Sequence, residues 1–334
     1  MFIVEEAVRE TVLRKLAVQL KEGYVFPEIG AEMATAVLQK WKSGAYDAWT
    51  APKDFALGVT ADLRAVSRDL HVTLVYSEKE IPPTETGSDA APGDLPPHLR
   101  GVEALNFGFA KVERLAGNVG YLKLDAFFPP DLAGETLRAA MSFLSHTGAM
   151  ILDLRENSGG WPELVQWACS YFLGAEPVLL NTIYARKTGI TREYWSLPDV
   201  PGDKRYEHQP LYVLTSRNTF SAAEELTYNL QQLGRAKIVG EVTRGGANPG
   251  EMVRLQKHFS VFVPTERSIN PITQTNWEGI GVTPDVQMEA EAALDWAYRE
   301  ALRGIAEDVQ ARPQAYPSRR FLKEVENLLI KTNL

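Results

Sequence analysis

Ser221 stands where an apolar strand pattern, Leu211-Tyr212-Val213-Leu214-Thr215, gives way to an amphipathic helix pattern that begins at Ala222. A hydroxyl at such a junction lies beside the unpaired amide N–H groups of the first helical turn and the positive end of the helix dipole. Those donors suit the oxyanion that forms when a serine attacks an acyl carbon. The pair Ser221-x-x-Glu224 is equally a capping box, in which the serine only closes the helix start, and caps are the commoner use of such a serine. A second segment of the same kind is Asn157-Ser158-Gly159-Gly160, between the apolar run 149–154 and a helical pattern from Pro162. Adjacent glycines allow positive φ and can aim consecutive N–H groups at one point, although a tight strand-to-helix turn has the same composition. Beside Ser221, this turn would supply one oxyanion donor and the Ala222 N–H the other.

A serine nucleophile needs a base. Five histidines are available: His71, His98, His146, His208 and His258. None makes ligand spacing with another and no HExxH occurs, so no metal site and no cofactor is expected. His98 and His208 fall in polar loops, His146 ends a helix, and His258 lies between strand-like segments beside Lys257. His71 falls where a helical pattern passes into His71-Val72-Thr73-Leu74-Val75-Tyr76, a strand-like alternation. That position can expose a side chain to a cleft, but residue type and place alone leave it one candidate among five.

Three helices are expected between residues 4 and 69, from Val4, Val8, Val12 and Leu16, then Ile29, Met33 and Val37, then Phe55, Val59, Leu63 and Val66. Residues 78–100 carry five prolines and two glycines with no periodicity, which reads as a linker or lid. From residue 101 strands and helices alternate: a hairpin of 107–114 with 119–124, a helix over 132–145, a buried strand over 149–154 and a helix over 162–173. Strands follow at 177–184 and 210–215, then the Ser221 helix to Gly234, a strand at 237–240 and two helices after 290. The expected organisation is a helical N-terminal domain (1–70), a strand and proline-rich linker (71–104) and an α/β domain (105–334).

The chain has 334 residues, 45% of them hydrophobic and 23% charged, which suits a globular protein with a large core. A formal net charge of -8 argues against a nucleic-acid partner and against an anionic membrane surface. Neither a secretory signal nor a run long enough to span a bilayer is present in this numbering. The expected location is therefore the cytoplasm, or the periplasm or exterior if a leader has been removed. The single cysteine, Cys169, sits in a helical apolar pattern and is expected in the core.

Taken together, several separated motifs resemble the C-terminal processing peptidases (tail-specific serine proteases), in the branch related to interphotoreceptor retinoid-binding protein. They are Thr219-Phe220-Ser221-Ala222-Ala223-Glu224-Glu225, Ile238-Val239-Gly240-Glu241-Val242-Thr243-Arg244-Gly245-Gly246, Leu152-Asp153-Leu154-Arg155-Glu156-Asn157-Ser158-Gly159-Gly160 and Gly279-Ile280-Gly281-Val282-Thr283-Pro284-Asp285. The helices around Tyr24-Val25-Phe26-Pro27-Glu28 are similar to that branch's N-terminal domain. The resemblance implies a ClpP/crotonase-like α/β domain behind an N-terminal helical bundle, and a metal-free serine peptidase acting on peptide or protein substrates. It puts Ser221 at the nucleophile, with the Ala222 N–H and an N–H from Gly159 or Gly160 as oxyanion donors. There are two departures. Residues 78–104 are too few for the usual PDZ module, and the lysine of the Ser–Lys members corresponds to Gly246, with Lys237 and Lys257 elsewhere.

The tricorn-type proteases of the wider family use a histidine base backed by a glutamate. By motif these correspond to His71 and to Glu278, which precedes the Gly279–Asp285 signature, whereas the tricorn serine before the histidine corresponds to Leu70. The implied mechanism has His71 taking the Ser221 proton, Glu278 supporting the imidazolium, and an acyl-enzyme resolved by water. Activity should then fall as His71 becomes protonated. Glu241 is read as a strand-end ion pair. Two alternatives are a catalytically idle module that binds an apolar ligand such as a retinoid or fatty acid, and acyl-CoA chemistry on the same fold.

Overall fold

The computed structural model describes residues 3–83, 99, 101–202, 204–316 and 319–332, so most of the proline-rich segment read as a lid lies outside the described residues. The elements run α1 (Glu6–Gly23), α2 (Pro27–Lys42), α3 (Pro52–Ser67), β1 (Thr73–Tyr76), β2 (Phe109–Leu115), β3 (Val119–Leu124), α4 (Pro130–Leu144), β4 (Ala149–Asp153) and α5 (Pro162–Phe172). They continue β5 (Leu179–Ala185), β6 (Ile190–Trp195), β7 (Leu211–Thr215), α6 (Ala222–Gln232), β8 (Lys237–Gly240), β9 (Gly250–Gln256), β10 (Phe259–Pro264), β11 (Glu266–Ile269), β12 (Val286–Gln287), α7 (Ala290–Ala311) and α8 (Arg319–Thr332). None of the described helices is long and apolar enough to cross a membrane. The chain forms two compact units.

The first unit comprises Met1–Pro96, Thr182–Arg192 and Gly246–Ile269. Its three helices are those read from the apolar spacing, and Pro27 and Pro52 open α2 and α3 where a missing N–H costs nothing. The strand read over 71–76 is β1, and it is not alone. It pairs antiparallel with β10, which pairs antiparallel with β9. Leu74, Leu255, Phe259, Val261 and Val263 of this sheet join Leu13, Leu16, Val37, Phe55 and Leu63 of the helices in one core. The Phe55 and Phe259 rings meet edge to face at 5.7 Å, a favoured aromatic geometry. Residues 246–269, read from the sequence within the α/β stretch, therefore complete the hydrophobic core of the N-terminal helices.

The second unit holds a six-stranded sheet in the order β12-β8-β7-β4-β3-β2. Pairing is parallel from β12 to β3, and β2 returns antiparallel as the expected hairpin partner of β3. Side-chain alternation divides the sheet's contacts. Leu122, Leu124, Met150, Leu152 and Val213 pack with α4, α5 and α6, whereas Val119, Tyr121, Ala149 and Ile151 pack with α7 and α8. β4 is buried at all five positions, as expected of a central strand covered on both sides. Cys169 is buried in this core, and burial pushes its thiol pKa up.

Helix α6 departs from the amphipathic reading. Its polar positions Glu224, Glu225, Thr227 and Asn229 are buried along with its apolar ones. They are accommodated by partners from distant segments: Asn181 Nδ2 donates to Glu225 (3.1 Å) and Asn270 Nδ2 to Asn229 (3.3 Å). Glu225 is 5% exposed. Burial pushes its carboxyl up to about 7, with the Asn181 bond opposing and the Glu163 charge adding to the rise. Because the folded value lies above the ordinary one, folding favours the neutral acid, and stability is lost as pH rises from the ordinary carboxylate range through about 7. Glu225→Gln, which fixes the neutral form, should be about 3 kcal/mol more stable relative to wild type at pH ~8 than at pH ~4. Denaturant melts at the two pH values measure this, and an unchanged difference would show that Glu225 is not held neutral.

Candidate active site

Strands β4 and β7 are parallel neighbours, with Leu152 opposite Val213 and Asp153 opposite Leu214. Their carboxyl ends therefore open side by side, where α/β sheets characteristically present ligand-handling loops. The β4 loop leads through Asn157-Ser158-Gly159-Gly160 into α5, and the β7 loop leads through Thr219-Phe220-Ser221 into α6. Several bonds stitch the loops together, three of them to backbone carbonyls of the β4 loop. The Thr219 hydroxyl donates to the Leu154 carbonyl (2.8 Å), the Phe220 N–H donates to the Asn157 carbonyl (3.0 Å), and the Ser216 hydroxyl donates to the Arg155 carbonyl.

Ser221 is the N-cap of α6 and has φ 56° and ψ -121°. Side chains other than hydrogen rarely adopt this conformation, which costs on the order of 1–3 kcal/mol. The capping box expected of Ser221 and Glu224 is present. An ordinary cap, however, needs only extended backbone, so capping does not account for the strained turn. What holds the turn is the carboxylate of Glu224, which is completely buried. Its Oε2 accepts the Ser221 N–H (2.8 Å), and its Oε1 accepts the Thr243 hydroxyl (2.5 Å) and the Gly245 N–H (2.6 Å). The Thr243 hydroxyl oxygen accepts the Val282 N–H (2.7 Å) and the Gly245 carbonyl accepts the Gly279 N–H (3.0 Å). Glu278 thus lies in a turn that is fastened, through Gly245 and Glu224, to the Ser221 turn. Trp277 beneath it is buried against the Tyr228 ring (5.4 Å).

The two glycines have different parts. The Gly159 N–H turns inward to Asn157 Oδ1 (2.9 Å), and its carbonyl accepts the Phe127 N–H (2.8 Å). Its φ is +101°, and a Cβ there would lie 2.7 Å from the Ser221 Cβ and 3.1 Å from the Ala222 nitrogen. Gly159 is therefore the surface on which the Ser221 turn rests, and its amide is spent. Gly160 has φ +139° and forms a one-residue parallel bridge with Phe127; a Cβ would sit 1.8 Å from the Phe127 carbonyl oxygen. Among the described residues the Gly160 and Ala222 N–H groups bond to no other group of the chain.

Deeper in the β4 end, Asp153 is buried and bonded by Arg155 (2.9 and 2.6 Å) and the Tyr121 hydroxyl (2.7 Å). Burial raises its pKa, but these donors outweigh burial and hold it below the usual range. Arg155 also donates to the Ala290 carbonyl (2.8 Å), fastening the start of α7 to the loop.

His71 belongs to the first unit, between α3 and β1. Arg68, with φ 58°, ends α3, and the Arg64 guanidinium braces the junction through the Leu70 (2.6 Å) and Val72 (3.1 Å) carbonyls. The His71 ring stacks on Phe262 at 5.8 Å between centroids. The remaining described histidines differ: His146 and His208 are exposed, and His258 Nδ1 is 3.0 Å from the Ser77 carbonyl oxygen. Lys257 pairs with Glu80 (3.5 Å), and Lys237, at the amino end of β8, lies over the Trp296 ring (5.9 Å). Glu241 makes the ion pair read for it, with Arg217 at 3.2 Å. Sequence reasoning missed the full reach of Glu224 and the parts of Asn157, Thr243 and Gly245. Only the Ser221–Glu224 spacing carried a local signal for any of them.

These features define a ClpP/crotonase-like α/β unit, accompanied by an N-terminal helical bundle, with a serine at a strained strand-to-helix turn. The profile of peptidase family S41 matches residues 118–288, and that of the N-terminal domain of Peptidase_S41 in eukaryotic IRBP matches residues 4–106. The chain belongs to peptidase family S41. It is 30% identical over 176 residues to carboxyl-terminal-processing peptidase 3, chloroplastic, of Arabidopsis thaliana, a match covering 52% of this chain and 32% of that protein. The chain thus spans about a third of that curated relative. In fold it is similar to a structure from Parabacteroides merdae (TM-score 0.60, 18% identity, 88% of this chain and 96% of the other). It is also similar to the tricorn protease (TM-score 0.54, 13% identity, 90% of this chain and 37% of the other).

If the Ser221 backbone is strained, glycine should relieve it where alanine cannot. Ser221→Gly should be about 1–2 kcal/mol more stable than Ser221→Ala in urea denaturation, although both lack the hydroxyl. Equal stability of the two variants would mean the turn stores no strain.

Proposed function

We propose that this chain is a serine peptidase in which Ser221 is the nucleophile and the N–H groups of Ala222 and Gly160 receive the oxyanion. The observation that carries the reading is the Ser221 backbone, held at φ 56° and ψ -121° at the start of α6 beside two amides with no partner among the described residues. Strain concentrates where a side chain must be presented for chemistry, and preorganised amide donors stabilise a developing oxyanion without reorganisation. Choosing Gly160 over Gly159 follows from hydrogen-bond accounting, because the Gly159 amide is already bonded to Asn157.

The roles of the other two residues rest on their motif positions. His71 acts as the general base and later returns the proton to the leaving amine, and Glu278 supports the imidazolium. Ser221 Oγ bonds to the peptide carbonyl carbon, the C–N bond breaks as His71 protonates the amine, and water then releases the acyl group. Membership of family S41 and the likeness to carboxyl-terminal-processing peptidases support peptide or protein as the substrate class. An idle carrier of an apolar ligand would need neither the strain at Ser221 nor the two reserved amides.

A fluorophosphonate probe should label the wild-type protein covalently at Ser221. Labelling should vanish in Ser221→Ala and slow by about 10²-fold or more in His71→Ala. Equal labelling of all three proteins, read by intact mass, would overturn the assignment.

A further inference from the structure

We propose that Asp69 is a positioning residue for His71, fixing the imidazole proton on Nδ1 so that Nε2 is the nitrogen that accepts a proton. The inference rests on the reading of His71 as the general base and adds the group that sets its tautomer. Asp69 lies two residues before His71 and is 0% exposed. Its Oδ1 accepts the His71 backbone N–H at 2.9 Å and lies 3.7 Å from His71 Nδ1. The first bond closes a turn around Leu70, so carboxylate and ring share a rigid two-residue frame. The other oxygen, Oδ2, accepts the Tyr24 hydroxyl at 3.1 Å, which fixes the plane of the carboxylate.

The surroundings restrain the ring as well. Arg64 holds the carbonyls on both sides of His71 and donates to the Thr73 hydroxyl (2.7 Å). Thr73 pairs across the sheet with Phe262, whose ring stacks on the imidazole. A carboxylate beside one imidazole nitrogen favours the proton on that nitrogen, and the tautomer it selects decides which nitrogen is left as the base. Burial pushes the Asp69 carboxyl up, whereas the His71 N–H, the Tyr24 hydroxyl, Asn248 and the Arg64 charge pull it down. Burial outweighs those four groups, so the carboxyl stays above its ordinary range, and they limit that rise.

The test is a long-range ¹H–¹⁵N correlation spectrum of the histidine side chains in the whole protein, labelled with ¹⁵N-histidine and recorded under mildly alkaline conditions. The His71 signals are identified by their loss in His71→Gln. The expected wild-type ring is protonated at Nδ1, with Asp69→Asn shifting the population toward the Nε2–H form. Asp69→Asn should also slow fluorophosphonate labelling of Ser221 by about 10²-fold through the inactivation rate rather than probe affinity. A wild-type ring protonated at Nε2, or an Asp69→Asn population equal to wild type, overturns the proposal. Should Asp69→Asn fail to fold, the wild-type tautomer alone decides it. If His71→Ala labels at the wild-type rate, the general-base reading fails, and the tautomer measurement still reports separately on Asp69.

Discussion

One buried carboxylate underlies the candidate site in the second unit. Glu224 has no exposure to solvent, and its two oxygens accept bonds from the Ser221 N–H, the Thr243 hydroxyl and the Gly245 N–H. Burying a carboxylate is unfavourable unless such donors surround it. Once they do, the group ties three chain segments to one point. The start of α6, the loop after β8 and, through Gly245 and Gly279, the turn that carries Glu278 are set by a single side chain. Each bond is charge-assisted and therefore stronger and more directional than an amide pair. This arrangement gives a physical basis for a serine resting in a backbone conformation it would not choose.

Strain at Ser221 and the burial of Glu225 are two costs borne by the same short helix. α6 is buried on nearly every side, yet it carries two adjacent glutamates, a threonine and an asparagine. A helix selected for stability alone would place apolar residues there. The polar residues are retained with partners from β5, from the loop after β8 and from the segment after β11, so the helix is held in one register. Apolar packing alone specifies register less sharply.

The regular elements were largely legible in the sequence, because most obey simple periodicities. α1 to α4 follow the 3.6-residue spacing of their apolar residues, and β4 is a short apolar run bounded by turn residues. β6 was not legible: Ile190-Thr191-Arg192-Glu193-Tyr194-Trp195 is almost wholly exposed and has no alternation to read. Residues 246–269 gave strand-like segments but no indication of which core they would complete, since that depends on side chains far earlier in the chain. At the candidate site, the junction serine, the Gly159-Gly160 turn and the Ser221–Glu224 spacing were visible as local patterns. The division of labour between the glycines was not, because it turns on where one amide is spent. Nor was the reach of Glu224 to Thr243 and Gly245, a long-range contact with no local signature. The closeness of Asp69 to the His71 ring has no local signature either, because spacing alone does not fix the distance between two side chains.

The bridge between Phe127 and Gly160 bears on how the turn responds to a change of charge. Through it the glycine turn is pinned by two backbone bonds to the segment after β3, with Phe127 accepting from Trp161 and donating to Gly159. A dipole held by backbone bonds on both sides cannot swing toward a new charge as a water molecule does, and so its orientation energy is committed during folding, before any ligand arrives.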